Sequence, residues 1–396
     1  MKTKDSKFDE LFTRGVHEVF TRKELEEKLN SGKPLSLKLG TDVTGANLTL
    51  GHAVVHRKLR DFQELGHKVV LIIGDFTTLV GDHSDKVEMR QETTSEEIRK
   101  NEQTYTDQFF KTVHKEGTEI VHNSDWLKEL DFNDVINLAK KFTLQQMFDR
   151  EAFQLRYKNN KPIGLDEFLY PLMQGFDSIH LKSDVEFGGT DQTFNLLAGR
   201  KLMPEFGLDP QCAIAMKLLT GNDGRPMGKS LKNFIPIMDN PNDMFGKVMS
   251  IVDEVIIEYF ELVTRVPMSE VKEMEAEMKA GKVNPMELKK KLAGEIVTFY
   301  HSKEAAIEAE QRFRSTVQNK AEITELPEVK VEKGKVKLMD LLKLVNPNES
   351  AGDIKRVIRQ GGVSISGKAI NDPNEIVRIR GGEVIKYGKK VFVRVV

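Results

Sequence analysis

Along the chain, short runs of branched apolar residues alternate with longer stretches in which apolar side chains recur every three or four positions. Residues 35 to 39 (PLSLK) end at Gly40, a helical pattern runs from His52 to Leu65, and Val69-Val70-Leu71-Ile72-Ile73 ends at Gly74. Strand, helix, strand in that order is a βαβ unit, which predicts a parallel, doubly wound core sheet. Val185-Glu186-Phe187 before Gly188-Gly189, and Cys212 to Leu219, read as further buried strands with helices between them. From about residue 241 to 316 the period is helical throughout, with breaks at Pro267, Gly281 and Pro285. Lys320 to Gly334 mixes charge with proline and reads as a linker. Beyond it, Ala351 to Gln360 predicts a helix, and Val363-Ser364-Ile365 and Val391 to Val395 predict short strands. The expected class is α/β: a doubly wound parallel sheet, then an α-helical domain, then a small α+β unit.

Composition narrows the class without changing this order. With 39% apolar and 31% charged residues over 396 positions, the chain has the makeup of a globular protein of two or three domains. No stretch approaches the ~20 uncharged apolar residues of a membrane helix. The N-terminus MKTKDSKFDELFTRG carries no apolar signal core, so a cytoplasmic location is expected. The single cysteine, Cys212, sits in an apolar run and is expected to be a buried thiol without a catalytic role. Charge is distributed unevenly: residues 335 to 396 carry a net +7 and residues 1 to 334 a net −8. A basic module on an acidic body fits a polyanionic partner such as nucleic acid, or else a solvated basic surface.

In open parallel sheets the chemistry lies beyond the carboxyl ends of the strands. After the first strand come Gly40-Thr41-Asp42-Val43-Thr44-Gly45 and then Leu50-Gly51-His52 at a helix start, where free N–H groups and an imidazole can meet a phosphate. After the second comes Gly74 to His83, whose Asp75 and Asp82 suit an ammonium group or a ribose, or else cap turns. Tyr170, Gln174 and Asp177 are spaced to share one helix face and can hydrogen-bond a small polar ligand, or else form a solvated stripe. Phe187-Gly188-Gly189-Thr190-Asp191-Gln192 joins a strand end to an acid that can hold ribose hydroxyls or cap a helix. Gly224 to Ser230 is not a P-loop, because its glycines are one residue too close and no strand precedes it. His52 and His56 have the spacing of metal ligands, but Ala53 stands where a zincin has its glutamate and no third ligand is apparent, so no metal site is expected.

Taken together these stretches resemble the tyrosyl-tRNA synthetases, class I enzymes of the bacterial type, over essentially the whole chain. Gly40-Thr41-Asp42-Val43-Thr44 and Thr49-Leu50-Gly51-His52 match the family's opening Gly-x-Asp-Pro-Thr and its His-Ile-Gly-His signature. Tyr170, Gln174 and Asp177 match its amino-acid helix, residues 188 to 192 its ribose loop, and Pro226-Met227-Gly228-Lys229-Ser230 its mobile Lys-Met-Ser-Lys-Ser loop. The basic C-terminal unit looks like a small RNA-binding domain shared with a ribosomal protein.

The resemblance implies that tyrosine and ATP give tyrosyl adenylate and pyrophosphate, and that the tyrosyl group passes to the 3′ end of tRNA(Tyr). It implies a Rossmann-like catalytic domain over residues 1 to 235 with a connective segment near 120 to 185, a helical domain over 236 to 320, a linker over 321 to 334 and an RNA-binding domain over 335 to 396. Thr44, His52, Lys229 and Ser230 would act on the triphosphate, and Gly40, Asp42, Thr49, Gly51, Gly188, Gly189, Asp191 and Met227 would bind ATP. Lys38, Asp82, Tyr170, Gln174, Asp177 and Gln192 would surround tyrosine, with Asp177 accepting the phenolic hydroxyl. Lys355, Arg356, Arg359 and Lys368 are candidates for tRNA backbone contact. A homodimer is implied, with Mg²⁺ held through the ATP phosphates and no other cofactor. The sequence departs from the family at Val43 for proline, Thr49 for the first signature His and Pro226 for the first loop Lys. Lys38 stands where some members place a second, phenol-binding tyrosine. Thr49, Arg225 and Lys232 are the candidates to replace the missing phosphate donors. The alternatives are a catalytically weakened paralogue that binds RNA, or a tryptophanyl-type enzyme.

Overall fold

The computed structural model describes residues 8–43, 47–81, 95–228, 231–315, 327–331, 333–347, 349–388 and 391–396. Contacts divide the chain into two compact units, Met1–Phe313 and Arg314–Val396.

In the first unit β1 (Val16–Phe20), β2 (Ser36–Thr41), β3 (Lys68–Ile73), β4 (Thr118–His122), β5 (Val185–Gly189) and β6 (Cys212–Met216) form one sheet in the order β1-β6-β5-β2-β3-β4. β2 to β6 are parallel, and β1 lies antiparallel along β6. The predicted parallel sheet is present. β1 and β4 go beyond the prediction: VHEVF and TEIVH interleave polar residues because they form the two edges and are only partly buried. β6 stops at Met216, short of the predicted Leu219, and Leu218 is exposed. Cys212 is buried and unpaired.

The chain builds outward from β2 through β3 to β4, then returns to the other side of β2 to add β5 and β6. The order therefore switches between β2 and β5, where sheets of this kind open a crevice beyond their carboxyl ends. β3 is buried at every residue after Lys68, as a strand covered on both faces requires. The crossover helix Leu50–Gln63 buries Leu50, Ala53, Val54, Leu59 and Phe62, the larger of these side chains contributing ~1.5–3 kcal/mol each.

The helical run comprises Pro241–Met249, Ile256–Val263, Met268–Lys279, Pro285–Tyr300 and Lys303–Phe313. Pro241 and Pro285 sit in first turns capped by Asn240 and Asn284, and Pro267 precedes a helix, so the proline breaks in the sequence are helix starts. Phe245, Phe260, Leu292 and Ile296 share one buried cluster with Leu37, Leu71 and Ile214 of the sheet. The last carbonyls of helix Ile256–Val263 receive guanidinium donors: Arg14 gives to Phe260, Glu261 and Thr264, and Arg57 gives to Val263.

The second unit contains strands β7 (Glu328–Val329), β8 (Gly334–Lys337), β9 (Val363–Ile365), β10 (Lys368–Ile370), β11 (Ile376–Ile379), β12 (Val384–Tyr387) and β13 (Val391–Val395). Five of them form a sheet in the order β10-β9-β12-β13-β7, and β8 pairs with β11. Helices Leu338–Val345 and Ala351–Arg359 bury Leu338, Leu341, Leu342, Ile354 and Ile358 against Val363, Ile385 and Val395. Because Ile354 and Ile358 point inward, Lys355, Arg356 and Arg359 are exposed on the other face, as is Lys368 on β10.

Candidate functional site

Most of the described site residues named from the sequence lie around the carboxyl ends of β2 and β5, on the helix Leu50–Gln63 that follows β2, and on helix Tyr170–Leu181. Thr44, Asp82, Lys229 and Ser230 lie outside the described residues. Beyond β2, Asp42 accepts from the Tyr170 hydroxyl at 3.1 Å and from Thr77 at 2.9 Å. Gly74 leaves room for this contact: a β-carbon there would stand 2.5 Å from the Asp42 carboxylate. At the start of helix Leu50–Gln63 the Thr49 N–H donates to His52 Nδ1 at 3.1 Å, and the Thr49 hydroxyl lies 2.9 Å from the same nitrogen. The Thr49 hydroxyl also lies 3.6 Å from Met227 Sδ, and a β-carbon on Gly51 would meet that sulfur at 3.1 Å. Met227 therefore rests on the helix start. His56, one turn on, is buried edge-on to Phe109, and burial pushes its pKa down to about 3. It belongs to the core. Among the described residues no group of three or more His, Cys, Asp or Glu could hold a metal ion.

Helix Tyr170–Leu181 sends each predicted side chain to a different strand end. Tyr170 reaches Asp42, Gln174 Nε2 donates to Glu186 of β5 at 3.0 Å, and Asp177 lies near the end of β4. There Trp126 Nε1 donates to one Asp177 oxygen at 2.8 Å and Asn123 Nδ2 to the other at 3.4 Å. Burial pushes the Asp177 carboxyl up to about 7, against the pull of Lys38 and of those two donors. Asn123 also donates to Thr77 at 3.2 Å, so Asp42, Thr77, Asn123 and Asp177 form one connected network. Lys38 is fully buried, and its ammonium meets Gln174 O and Ser178 Oγ at 2.7 Å each and Glu186 at 2.8 Å.

Beyond β5, a β-carbon on Gly188 would lie 2.8 Å from Gln192 Cβ, so this turn closes only with glycine. Gln192 Nε2 donates to the exposed Asp191 at 3.0 Å. In the segment before Met227, Asp223 accepts from Asn233 and Arg225, which hold its carboxyl down at about 2. Asn233 Oδ1 accepts from the Gly228 N–H at 2.9 Å.

Thr77, Asn123, Trp126, Ser178 and Glu186 support the site and were not named from the sequence. Glu186 left a readable signal, a charge inside an apolar strand of a sheet with Lys38 inside another. Asn123 and Trp126 left none, because β4 itself was not recognised. A cavity of about 550 Å³ lies elsewhere, between the N-terminal segment and helix Ile256–Val263. Of the cations lining it, Arg14 and Arg57 serve the helix carbonyls, Lys58 donates to Leu11 O at 2.8 Å and Arg265 pairs with Glu64 at 3.0 Å.

Residues 30–318 match the family model of class I tRNA synthetases of the W and Y kinds. The tyrosine–tRNA ligase of Carboxydothermus hydrogenoformans is 46% identical over 98% of this chain and 97% of its own length. That of Moorella thermoacetica is 44% identical over 97% and 94%. Among solved structures, a C-terminally truncated mitochondrial tyrosyl-tRNA synthetase from Aspergillus nidulans superimposes with a TM-score of 0.65 at 20% identity, over 79% of this chain and 95% of that one. One from Archaeoglobus fulgidus, complexed with L-tyrosine, gives 0.62 at 23% identity over 76% and 97%; both agree in fold. On the family match and the near-full-length identity, the chain belongs to the class I tRNA synthetases and, within them, to the tyrosine–tRNA ligase family.

Proposed function

We propose that this chain activates tyrosine with ATP, releasing pyrophosphate, and transfers the tyrosyl group to the 3′ end of tRNA(Tyr). The observation that carries this for the amino acid is Asp177, a carboxyl 2% exposed and held from both sides by Trp126 and Asn123. Each oxygen keeps a lone pair after those bonds and can accept a phenolic hydroxyl. Phenylalanine would leave the remaining lone pair of that buried carboxylate without a donor; discrimination of ~10⁵-fold is the general case for tyrosyl enzymes. The substrate carboxylate is ionised at neutral pH and attacks the α-phosphorus without a general base, so catalysis rests on positioning and on stabilising charge at the phosphates. The N–H of Thr49 on His52 Nδ1 supports a proton on Nε2, the form that donates to a phosphate oxygen. Gly188, Gly189, Asp191 and Gly51 suit the nucleotide, and Tyr170 and Gln174 the ammonium group. Thr44, Asp82, Lys229 and Ser230 complete the proposal on sequence alone. Mg²⁺ enters with ATP and offsets phosphate charge.

The exposed basic face of Lys355, Arg356, Arg359 and Lys368 suits a tRNA backbone. A homodimer is supported by exposed apolar side chains in the 130–165 region, among them Phe132, Leu144, Tyr157 and Leu165. No described helix is long and apolar enough to cross a membrane. One observation favours a slowed enzyme: two candidate replacements for the missing phosphate donors are engaged, the Thr49 hydroxyl by His52 and Met227 and Arg225 by Asp223. Tyrosine-dependent exchange of pyrophosphate into ATP tests the function, and active-site-titrated protein without exchange above background would refute it. Tight tRNA binding with no adenylate formed would select the weakened paralogue.

A further inference from the structure

We propose that Glu186, held by Lys38, sets which way round the Gln174 side-chain amide faces, so that Gln174 meets the substrate's ammonium group with its carbonyl oxygen. This rests on the tyrosine reading above and adds to it the device that orients one of its ammonium contacts.

The two ends of a glutamine amide have nearly the same shape and opposite hydrogen-bonding character. Facing an ammonium group, Oε1 accepts a hydrogen bond while Nε2 opposes it with a second donor. Something must choose. Glu186 is fully buried on β5, directly paired in register with Lys38 on β2 at the switch point of the sheet. One of its oxygens accepts from Lys38 Nζ at 2.8 Å and from Gln174 Nε2 at 3.0 Å. The other accepts from Ser178 Oγ at 3.3 Å and from Gln211 Nε2. The Gln211 amide is itself oriented, because Ser183 donates to its oxygen at 2.6 Å and its nitrogen also gives to Leu196 O at 3.2 Å. Glu186 thus collects four donors, and a carboxylate offers only acceptors, so the Gln174 end turned toward it is the N–H end. The carbonyl end of that half-buried side chain is then directed away from Glu186.

Lys38 adds a second restraint, donating to Gln174 O and Ser178 Oγ and so tying the backbone of the same helix turn to the pair. A buried Lys–Glu pair is a poor source of stability compared with apolar residues of equal volume. Orientation of a substrate-binding amide accounts for it.

The test uses the full-length chain. Replacing the pair together, Lys38→Met with Glu186→Met, removes both charges at similar volume and releases the amide. The tyrosine KM in pyrophosphate exchange should rise roughly 10- to 100-fold with little change in the KM for ATP. Inhibition by 3-(4-hydroxyphenyl)propionate, which keeps the phenol and carboxylate but lacks the ammonium group, should change little. Gln174→Glu supplies the decisive contrast, since a carboxylate accepts through either oxygen and needs no orienting. In the parent it sets two carboxylates side by side and should weaken tyrosine binding; in the double variant it should restore it. Should the double variant fail to fold, Glu186→Gln alone, which offers Gln174 a donor as well as an acceptor, should narrow the preference for tyrosine over its des-amino analogue. Equal loss of affinity for both ligands, or a Gln174→Glu effect of the same sign in both backgrounds, would overturn the proposal. A parent chain without tyrosine-dependent exchange would instead overturn the functional reading beneath it.

Discussion

Replacing Asp177 by Asn should make the protein more stable at pH 8 while damaging its use of tyrosine. Burial raises this carboxyl from its ordinary 3.8 to about 7, despite the opposing pull of Lys38, Trp126 and Asn123. At about 1.4 kcal/mol for each tenfold, the folded state above neutral pH bears roughly 4 kcal/mol for keeping the group ionised. The sign follows from proton binding. Between about pH 4 and 7 the native carboxyl holds a proton that the unfolded chain has released, so this group's contribution to stability falls as pH rises across that window. Below it, both states are protonated and the penalty vanishes. Asn removes the penalty but sets its own N–H against that of Asn123, which cannot turn over because its oxygen accepts from the Phe76 N–H at 3.0 Å. That mismatch costs about 1 kcal/mol. Denaturant titration should then show Asp177→Asn about 3 kcal/mol more stable at pH 8 and little changed at pH 5. The kcat/KM for tyrosine should fall roughly 10- to 100-fold, as for loss of a charge-assisted bond, while that for phenylalanine barely moves. A stability change of the same size at both pH values, or equal damage to both substrates, would refute the assignment of a strained, phenol-reading carboxylate.

Four further outcomes are expected. Thr49→His, which adds a ring donor at the helix start, should raise the exchange kcat about 10- to 100-fold, and an unchanged rate would show that Thr49 does not limit the reaction. Gly175→Ala would set a β-carbon 2.7 Å from the buried Leu202 side chain and should cost about 1–3 kcal/mol in urea unfolding. Arg14→Ala strips donors from three carbonyls at the end of helix Ile256–Val263 and should cost roughly 2 kcal/mol by the same measurement. Deleting residues 335 to 396 should leave pyrophosphate exchange nearly intact and greatly weaken aminoacylation; equal loss of both activities would contradict the division of labour.

Legibility in the sequence follows burial. β3 could be read because a strand covered on both faces is a continuous apolar run, and the loops after β3 and β5 could be read because the close approaches at Gly74 and Gly188 require glycine. The edge strands β1 and β4 escaped notice because half-exposed strands mix polar with apolar residues and carry no distinct period. Missing β4 also hid Asn123 and Trp126, which act only because the chain returns to Asp177 some fifty residues later. Lys38 is the most instructive position. The family resemblance directs attention at this position to the phenol, whereas elementary electrostatics directs it elsewhere: a fully buried ammonium needs an anion within reach. Glu186, inside a neighbouring apolar strand, meets that need. Two opposite charges within apolar strands of one parallel sheet imply both that the strands are neighbours and that their pairing lies beneath something the pair must hold in place. Here that is the helix bearing Gln174 and Asp177, whose Gln174 backbone carbonyl and side-chain amide are both bonded to the pair.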